Sequence, residues 1–496
     1  MTYQPPAPQP APPAPLPFNP NPMPTGVTLT TDANIQGNVL AGFNKDYASL
    51  LFLQLADHPS GLAYLGALLP LVATNAEVAA FNTAFSGARA AGGQDPDDLN
   101  ATWVGVSITA HGLGVLSPSG SQSVGQPGWD PAVAKFLAGA ITAPDIPAQG
   151  PESAATWLFG GPGTQLIDLV VVVGSDSAEG LAGALAELSV MAGTHKVLTV
   201  FEQPGATLPG RGRGHEHFGF KDGISQPHVM GFDPPNPAGA PAQSPPLIET
   251  GEFLLGYPGH DGHQRPVPPW MFDGSFLVVR RLAQDVPGFW GQASALAKDL
   301  NPDPGAEALA ARLVGRWKDG TPVAEAPNAD PRVGPDETAD NDFDFSNDIA
   351  GAATPLFAHI RKINPRNGTT PGLNAVGARR IIRRGIPFGE PFDPSLGRDH
   401  GPDSPRGLVF ACYQASIGDQ FEFLQNSWAD QTAFPQANAG PDPVIGPAGT
   451  CPLSQGGGNP VALSVGRFIT LEGALYAFTP SIPTLQAIAS GQALGN

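Results

Sequence analysis

Apolar positions in the first half of the chain follow two different periods, which together predict alternating strands and helices. Four short apolar runs have the length and the aliphatic, β-branched content of buried strands. They lie at 50–55, 103–108, 166–173 and 197–201. Residues 75–92 carry apolar side chains at helical spacing, and Ser177 is placed to cap a second helix that runs to about Met191.

The order β-α-β followed by β-α-β favours a ferredoxin-like domain, in which helices pack on one face of an antiparallel sheet. A doubly wound parallel sheet would also alternate, but the long polar insertions fit it poorly. Elements of the same types recur in the second half. Strand-like segments lie at 275–279 and 408–413, helix-like segments at 289–300, 306–317 and 417–428, and a hairpin at 468–471 and 474–478 around Gly473. We therefore expect an α+β protein of two ferredoxin-like domains, 28–232 and 247–496, joined by a Pro/Gly-rich linker at 233–246.

Composition narrows the possible functions and compartments. The first 27 residues are rich in proline and predict a disordered tail. A net charge of −19 argues against binding to nucleic acid or an anionic membrane. No run approaches the ~20 apolar residues of a membrane span, and the amino terminus lacks a secretory signal pattern, so we expect a cytoplasmic protein, with secretion as the alternative. Cys412 and Cys451 can form one bridge or remain as two buried thiols.

The densest polar segment, at 210–228, allows several interpretations. Its first glycines resemble a phosphate-binding loop, but they do not open a helix as such a loop must. Imidazole and carboxylate groups here can also hold a non-haem metal ion. The members of that set would be His215, His217 and Asp222 or His228. The remaining interpretation is a tight turn, in which Gly219 and Gly223 supply unusual backbone angles and Asp222 caps a neighbouring amide.

Basic side chains are concentrated at 332–384, which holds eight of the 25 lysines and arginines of this acidic protein. They are Arg332, Arg361, Lys362, Arg366, Arg379, Arg380, Arg383 and Arg384. Such a cluster can be a surface patch for acidic partners, or it can hold a cofactor that carries carboxylates, which guanidinium groups bind bidentately. His359 lies among apolar residues in the same region, and this favours partial burial and a ligand role.

Five segments resemble the dye-decolourising (DyP-type) haem peroxidases, and they occur in the order that this family has. They are Gly219-Phe-Lys-Asp222-Gly223, His359-Ile-Arg361-Lys-Ile-Asn-Pro-Arg366, Arg383-Arg-Gly-Ile-Pro-Phe-Gly389, Gly407-Leu-Val-Phe-Ala-Cys-Tyr-Gln414 and Asp442-Pro-Val-Ile-Gly446. The resemblance covers roughly residues 30–480 and is closest to the larger, fungal-like branch. It implies one haem b per chain, bound in a cleft of the second domain of a monomer or homodimer.

The resemblance also implies an activity. The protein would reduce hydrogen peroxide through a ferryl intermediate and oxidise dyes, phenols and similar aromatic reductants. A haem-binding or haem-handling protein of the same fold without catalysis is one alternative. A non-haem metalloenzyme that uses His215, His217 and Asp222 is the other.

The resemblance assigns the principal roles residue by residue. His359 would be the proximal iron ligand, and Asp442 would accept a hydrogen bond from its other ring nitrogen, which strengthens the ligand. Asp222 would take a proton from peroxide and return it to the departing oxygen, with a preference for acidic pH because an aspartate has an intrinsic pKa near ~4. Arg383 would stabilise the developing negative charge, and only one of Arg383 and Arg384 can point into the pocket.

Further members of the cofactor site follow from the same motifs. Arg361 and Arg366 would bind the haem propionates. Leu408 and Phe410 lie two apart on a strand, and so on one face of it, and they would line the distal pocket. The motif glycines Gly219 and Gly223 complete the cofactor-binding set.

Two aromatic positions bear on oxidation at the protein surface. Trp428 lies where some relatives carry a surface radical tryptophan, so we expect either an electron-transfer site or a core residue there. Phe388 lies where some relatives have an oxidisable tyrosine, and phenylalanine cannot supply a phenol.

Overall fold

The computed structural model describes residues 28–96, 98–236, 244–328, 341–366, 376–393, 405–454 and 459–495. The predicted tail at 1–27 and residues 237–243 of the predicted linker lie outside these ranges. The strands are β1 Tyr47–Gln54, β2 Thr102–Ile108, β3 Leu169–Ser175, β4 Leu198–Ala206, β5 His228–Val229, β6 Leu247–Ile248, β7 Ser275–Gln284, β8 Ile382–Arg383, β9 Ile386–Phe388, β10 Gly407–Gln414, β11 Gly449–Leu453, β12 Val461–Val465 and β13 Ile469–Thr479.

Helices fill the connections between the strands. The α-helices are α1 His58–Leu68, α2 Asn75–Gly92, α3 Ala110–Leu116, α4 Pro118–Val124, α5 Pro131–Ala138, α6 Ala178–Thr194, α7 Val286–Lys298, α8 Ala306–Val314, α9 His359–Ile363 and α10 Ile482–Ala489. Two π-helical segments, π1 Ile417–Glu422 and π2 Leu424–Ala429, replace the regular helix expected at 417–428. Within the described ranges, no helix is both long and apolar enough to cross a bilayer.

One antiparallel sheet runs through both halves of the chain. Its strand order is β4-β1-β3-β2-β13-β7-β10-β8, with β9 also paired to β10. The first four strands have the ferredoxin-like order 4-1-3-2, and β13, β7, β10 and β8 repeat that order in the second half. The two sets meet where Ile108 of β2 lies opposite Phe478 of β13. The predicted α+β class with two ferredoxin-like units is confirmed, and the units share a single sheet.

Local sequence signals explain the helices that were predicted correctly. Thr74 and Glu77 form a reciprocal capping box at the start of α2, which spans the predicted 75–92. The Ser177 side chain accepts a hydrogen bond from the amide of Gly180 and so caps α6.

The hairpin predicted around Gly473 is wrong, because residues 469–479 form one continuous strand, β13. The pairing register of β13 with β7 shifts between Leu471 and Gly473, which marks an irregularity inside the strand. A Cβ atom at position 473 would lie 2.6 Å from the ring of Phe159. Glycine is therefore required here for close packing against Phe159, and a turn does not form.

Both faces of the sheet are buried. In β1, Leu51 and Leu53 join the apolar core on one face, while Leu50 and Phe52 join a second core on the other. A third apolar cluster in the second half brings together α7, α8 and the β11–β12 hairpin. α9 begins beside this cluster, where Phe357 is buried. The C-terminal helix α10 packs back against α1 of the first half.

Candidate active site

A large cavity lies between residues 216–225 and the second half of the chain, where it is bounded by β8, β10, α9, π1 and π2. It encloses about 1530 Å³ of empty space, part of which is open to solvent. Most of its wall is apolar, with Leu282, Val314, Ile360, Ile363, Leu408 and Phe410 among the lining residues. The predicted pair Leu408 and Phe410 therefore faces the cavity from β10.

His359, the first residue of α9, points into this cavity and is held from behind by Asp442. Its Nδ1 donates to Asp442 Oδ2 at 2.8 Å, and the Asp442 side chain has no exposed surface. Asp442 Oδ1 accepts the amides of Val444 and Ile445 at 2.8 and 3.1 Å, so its carboxylate also builds the turn that begins at Pro443. Burial opposes protonation of His359, but the charge and hydrogen bond of Asp442 outweigh it and raise the histidine pKa. With Nδ1 occupied as a donor, Nε2 is the nitrogen left to bind a ligand.

Lys362 fixes the loop that carries Asp442 beside the helix that carries His359. Its fully buried Nζ donates to the carbonyl oxygens of Gln431, Phe434 and Gly440 at 2.5, 2.7 and 2.9 Å. Burial lowers the pKa of Lys362 to about 8. The sequence showed Lys362 only as one member of the basic cluster, because its partners lie about 70 or more residues away.

Asp222 and Arg383 form a second charged pair on the wall of the same cavity. Arg383 Nη2 lies 3.4 Å from Asp222 Oδ1, which also accepts the amide of Gly223 at 2.6 Å. The Asp222 side chain is 41% exposed and that of Arg383 is 26% exposed. Gly223 has a φ of +83°, which a residue with a Cβ adopts only with strain, and this conformation places its amide against Asp222.

Gly219 has a φ of +94° and belongs to the same turn, but it does not line the cavity. Its amide donates to the carbonyl of Glu216. The cofactor contact predicted for Gly219 is therefore wrong. The residue shapes the turn that presents Asp222.

Two residues that sequence reasoning gave no role hold this pair in place. The Gln226 side chain makes two hydrogen bonds to the backbone of Arg383. Nε2 of Gln226 donates to the Arg383 carbonyl at 2.8 Å, and Oε1 of Gln226 accepts from the Arg383 amide at 3.1 Å. The Glu216 carboxylate accepts the amides of Phe218 and Phe220, as well as Nε2 of Gln284. Burial raises the pKa of Glu216 to about 7 against these hydrogen bonds, and the nearby charge of Asp222 adds to the increase. Both residues lie in the polar segment 210–228, but only the fold reveals their distant partners.

Arg384 points away from Asp222. Its guanidinium donates to the backbone carbonyls of Asn38, Val39 and Leu40 in the first half of the chain. Of the two adjacent arginines, the structure therefore places Arg383 at the large cavity.

A second cavity meets the first at the Asp222–Arg383 pair. The residues common to both walls are Glu216, Asp222, Gly223, Arg383 and Leu408. The rest of the second cavity is lined partly by the first half of the chain, including Lys45 and Leu50. His359 lines only the first cavity. The acid–arginine pair thus lies between this second cavity and the space that His359 faces.

Partly buried arginines are concentrated at another part of the cavity wall. Arg366 donates to the carbonyls of Asn341 and Phe343, and its guanidinium lies 3.8 Å from the Phe343 ring centroid. Burial lowers the pKa of Arg366, and the positive charges of Arg316 and Arg380 lower it further. Arg380 also lines the cavity, and burial together with the charge of Arg383 lowers its pKa to about 10. Such a concentration of buried positive charge favours an anionic group on the ligand.

Arg361 does not belong to this group, and the propionate role predicted for it is wrong. Its buried guanidinium donates to the carbonyls of Thr354 and Ile349, pairs with Asp348 at 3.3 Å and stacks on Phe345. Two residues along an α-helix correspond to a rotation of about 200°, so Arg361 points away from the side on which His359 faces the cavity.

Trp428 is a core residue, which is the second of the two alternatives that the sequence left open for this position. Its side chain is buried and stacks on Phe434, with ring centroids 4.8 Å apart and planes 6° apart. Phe423 packs edge-on against it. Phe388 is buried as well, beneath the guanidinium of Arg281.

The alternative metal set is not assembled. The ring of His217 is engaged through Nε2 with the carbonyl of Phe388, and that of His215 through Nδ1 with the carbonyl of Arg213. Among the described residues, no three histidine, cysteine or acidic side chains converge as a metal site would require. Cys412 and Cys451 are both buried free thiols.

Known proteins resemble this chain over nearly its whole length, although no protein-family model matches it. A dye-decolourising peroxidase of Mycetinis scorodonius is 33% identical over 94% of this chain and 88% of its own length. The solved structure of an ancestral D-type dye-decolourising peroxidase is 33% identical, with a TM-score of 0.77 over 92% of this chain and 98% of that one. A dye-decolourising peroxidase solved in complex with 2,6-dimethoxyphenol is 30% identical, with a TM-score of 0.76 over 92% of this chain and 99% of that one.

Proposed function

The chain belongs to the dye-decolourising peroxidase family, and from this premise we infer that it is a haem peroxidase that reduces hydrogen peroxide and oxidises dyes and phenols. The observation that carries this inference is one cavity lined by both His359, backed by Asp442, and the Asp222–Arg383 pair. The relative that binds 2,6-dimethoxyphenol supports phenols as reducing substrates.

The cavity fits haem on three independent counts. His359 presents a free Nε2, which is the nitrogen that an iron ion in a porphyrin requires. The apolar wall suits the faces of the macrocycle. Arg366 and Arg380 supply positive charge for its two propionates. When bound, haem supplies an iron that coordinates peroxide and accepts its oxidising equivalents.

The residues behind His359 act by holding it. Asp442 keeps the proton on Nδ1, fixes the ring orientation and makes Nε2 a stronger electron donor. Lys362 binds the Asp442 loop through three carbonyls and so keeps the pair together.

Asp222 and Arg383 act on peroxide. The Asp222 carboxylate is exposed enough to take the proton of an arriving peroxide molecule and to return it to the departing oxygen. Arg383 stays positively charged and stabilises the negative charge that develops on the oxygen atoms. Loss of a positioned acid–base group typically costs about 10²–10⁴ in rate.

The proposal extends to the identity and number of the cofactors. We propose one haem b per chain, because the described residues contain one His359–Asp442 pair facing one cavity. We propose a monomer or homodimer, which light scattering of the purified protein tests. We also propose that the chain divides into units at 28–232 and 247–496, which limited proteolysis between them tests.

Haem titration followed by peroxide addition tests the function directly. The apoprotein should bind haem b to one equivalent and develop a Soret band. Stoichiometric hydrogen peroxide should change that band, and 2,6-dimethoxyphenol or an anthraquinone dye should restore it. A Soret band that does not respond to peroxide would identify a passive haem-binding protein, and the absence of any Soret band would refute a haem site.

A further inference from the structure

Tyr476 lies in the core directly behind the wall of the large cavity. The tryptophan at 428 is buried and position 388 lacks a phenol, so neither of the predicted aromatic positions provides an exposed site for electron transfer. Tyr476, on β13, has features that suit it to this chemistry from inside the protein. The inference that follows rests on the proposed peroxidase function.

Aromatic contacts connect Tyr476 to the cavity. Its ring packs edge-on against Phe421 of π1, with centroids 6.5 Å apart and planes at 76°. Phe421 packs in turn against Phe410 of β10 at 5.9 Å, and both phenylalanines line the cavity. Consecutive ring contacts therefore run from the cavity wall to the phenol of Tyr476.

A carboxylate is positioned to receive the phenolic proton. Tyr476 Oη donates to Glu422 Oε1 at 3.1 Å, within the reach of a general base. Glu422 is buried, and its Oε2 pairs with Nζ of Lys135 at 2.6 Å. The Lys135 side chain is 36% exposed, so the hydrogen-bonded series Tyr476–Glu422–Lys135 reaches the surface.

Burial keeps the Tyr476 phenol neutral at rest, and charged neighbours surround it. Burial holds the pKa of the Tyr476 phenol well above its usual value, although the charge of Arg280 acts against the increase. Arg280 is itself paired with Asp145 and lies over the ring of Phe421 at 4.6 Å. A phenol in this setting keeps its proton until oxidation makes the O–H group strongly acidic.

We propose that Tyr476 is a redox-active residue that exchanges an electron with the cofactor across Phe421 and Phe410. After peroxide has oxidised the cofactor, Tyr476 gives it one electron, its O–H bond breaks and the proton forms a new O–H bond on Glu422. The products are a neutral tyrosyl radical, a protonated Glu422 and a cofactor reduced by one electron. One electron from an aromatic reductant and the proton from Glu422 restore the phenol.

Other described tyrosines lack this combination of contacts. Tyr257 also donates to a carboxylate, Asp273 at 2.5 Å, but it belongs to the apolar core on the opposite face of the sheet. Tyr64 shares the core of Tyr476, but its buried hydroxyl has no hydrogen-bond partner in the described part of the chain. Tyr64→Phe is therefore a matched control, because it removes a buried phenol that has no acceptor for its proton.

Freeze-quench electron paramagnetic resonance of the haem-loaded protein, after stoichiometric hydrogen peroxide, tests the inference. Wild type should give a tyrosyl signal that narrows when tyrosine is ring-deuterated. Tyr476→Phe should lose most of that signal, Glu422→Gln should lower it although the phenol remains, and Tyr64→Phe should leave it unchanged. The Soret change on adding peroxide should persist in all three variants.

The outcomes separate the two claims. A signal that survives Tyr476→Phe, or that disappears only in Tyr257→Phe, would overturn the assignment to Tyr476 and leave the peroxidase function intact. If Tyr476→Phe does not fold, an undiminished signal in Glu422→Gln would overturn it by itself. A wild-type Soret band that ignores peroxide would overturn both claims together.

Discussion

Two aspartates, one on the wall of the large cavity and one directly behind it, lie in opposite environments. Asp442 has no exposed side-chain surface and accepts three hydrogen bonds, from the His359 ring and the amides of Val444 and Ile445. Asp222 is 41% exposed, accepts one amide at 2.6 Å and contacts Arg383 at 3.4 Å. Asp442, which we propose holds the iron ligand in place, is buried and fully engaged. Asp222, which we propose moves a proton, keeps an oxygen accessible to small molecules.

The difference extends to the residues behind each aspartate. Lys362 fixes the Asp442 loop with three hydrogen bonds to carbonyl groups in the interior. Asp222 is presented by a turn whose anchor, Glu216, titrates near neutral pH because burial raises its pKa to about 7. We therefore expect the His359 side to respond to substitution through cofactor retention, and the Asp222 side through rate and pH dependence.

Removing the imidazole ring of His359, the partner of Asp442, should have the largest effect of the substitutions considered. His359→Ala should fold but retain little haem, since no other group replaces the Nε2 ligand at that position. Haem content per chain, measured from the absorption spectrum after gel filtration, checks this. His263→Ala is the control, because His263 has an 83% exposed side chain and should not change haem content. Full haem retention in His359→Ala would show that another residue is the iron ligand.

Asp222→Asn should slow the reaction with peroxide without lowering haem content. The amide cannot take up a proton from peroxide, so the Soret change should slow by about 10²–10⁴ while haem content stays at the wild-type value. Stopped-flow absorption measures the rate. Asp261→Asn removes a carboxylate with a 76% exposed side chain and should leave the rate unchanged. If Asp222→Asn reacts with peroxide at the wild-type rate, Asp222 has only a structural role in its turn.

Asp442→Asn should show the reverse order of effects. Its amide group cannot accept from both the His359 ring and the two backbone amides in the same way, so haem affinity should fall by about 10–100-fold. Competition for haem with apomyoglobin measures this affinity. If the peroxide step slows more than haem binding weakens, the contrast between the two aspartates is incorrect.

Glu216→Gln should have the smallest effect, and its sign depends on pH. Because the folded-state pKa of about 7 exceeds the usual value of 4.5, the folded protein binds more protons than the unfolded chain between these values. Glu216 therefore contributes stability below about pH 4.5 that is lost as the pH rises through 7.

Thermal denaturation of wild type and Glu216→Gln between pH 4.5 and 8 measures this contribution. The wild-type Tm should fall relative to that of the variant as the pH rises. Glu187→Gln, at an exposed position on α6, should follow the wild-type pH dependence. Parallel curves for wild type and Glu216→Gln would show that Glu216 does not titrate in this range.

Sequence reasoning succeeded where a residue type or a local pattern decides the structure. The helical apolar period predicts helix α2 with its observed bounds, and the structure adds a capping box at its start. His359, Asp442, Asp222 and Arg383 were identified from short motifs, and the fold brings them to one cavity or, for Asp442, directly behind its wall.

The errors share a physical cause, which is packing between parts of the chain that are distant in sequence. Gly473 was taken for a turn residue because nothing local reveals that Phe159 packs against it. Arg361 was placed at the cavity although its rotation about α9 directs it to Asp348. The role of Gln226 was missed because its partner, the Arg383 backbone, lies far along the chain.

The contact between Arg384 and the carbonyls of residues 38–40 ties Arg383, which we propose acts on peroxide, to a loop of the first half. Gly42 lies in that loop, and a Cβ atom there would come within 2.6 Å of the Arg384 guanidinium. The position of Arg383 therefore depends on a stretch of chain outside the wall of the large cavity. We expect substitutions in that loop to shift Arg383 without changing a residue that lines the large cavity.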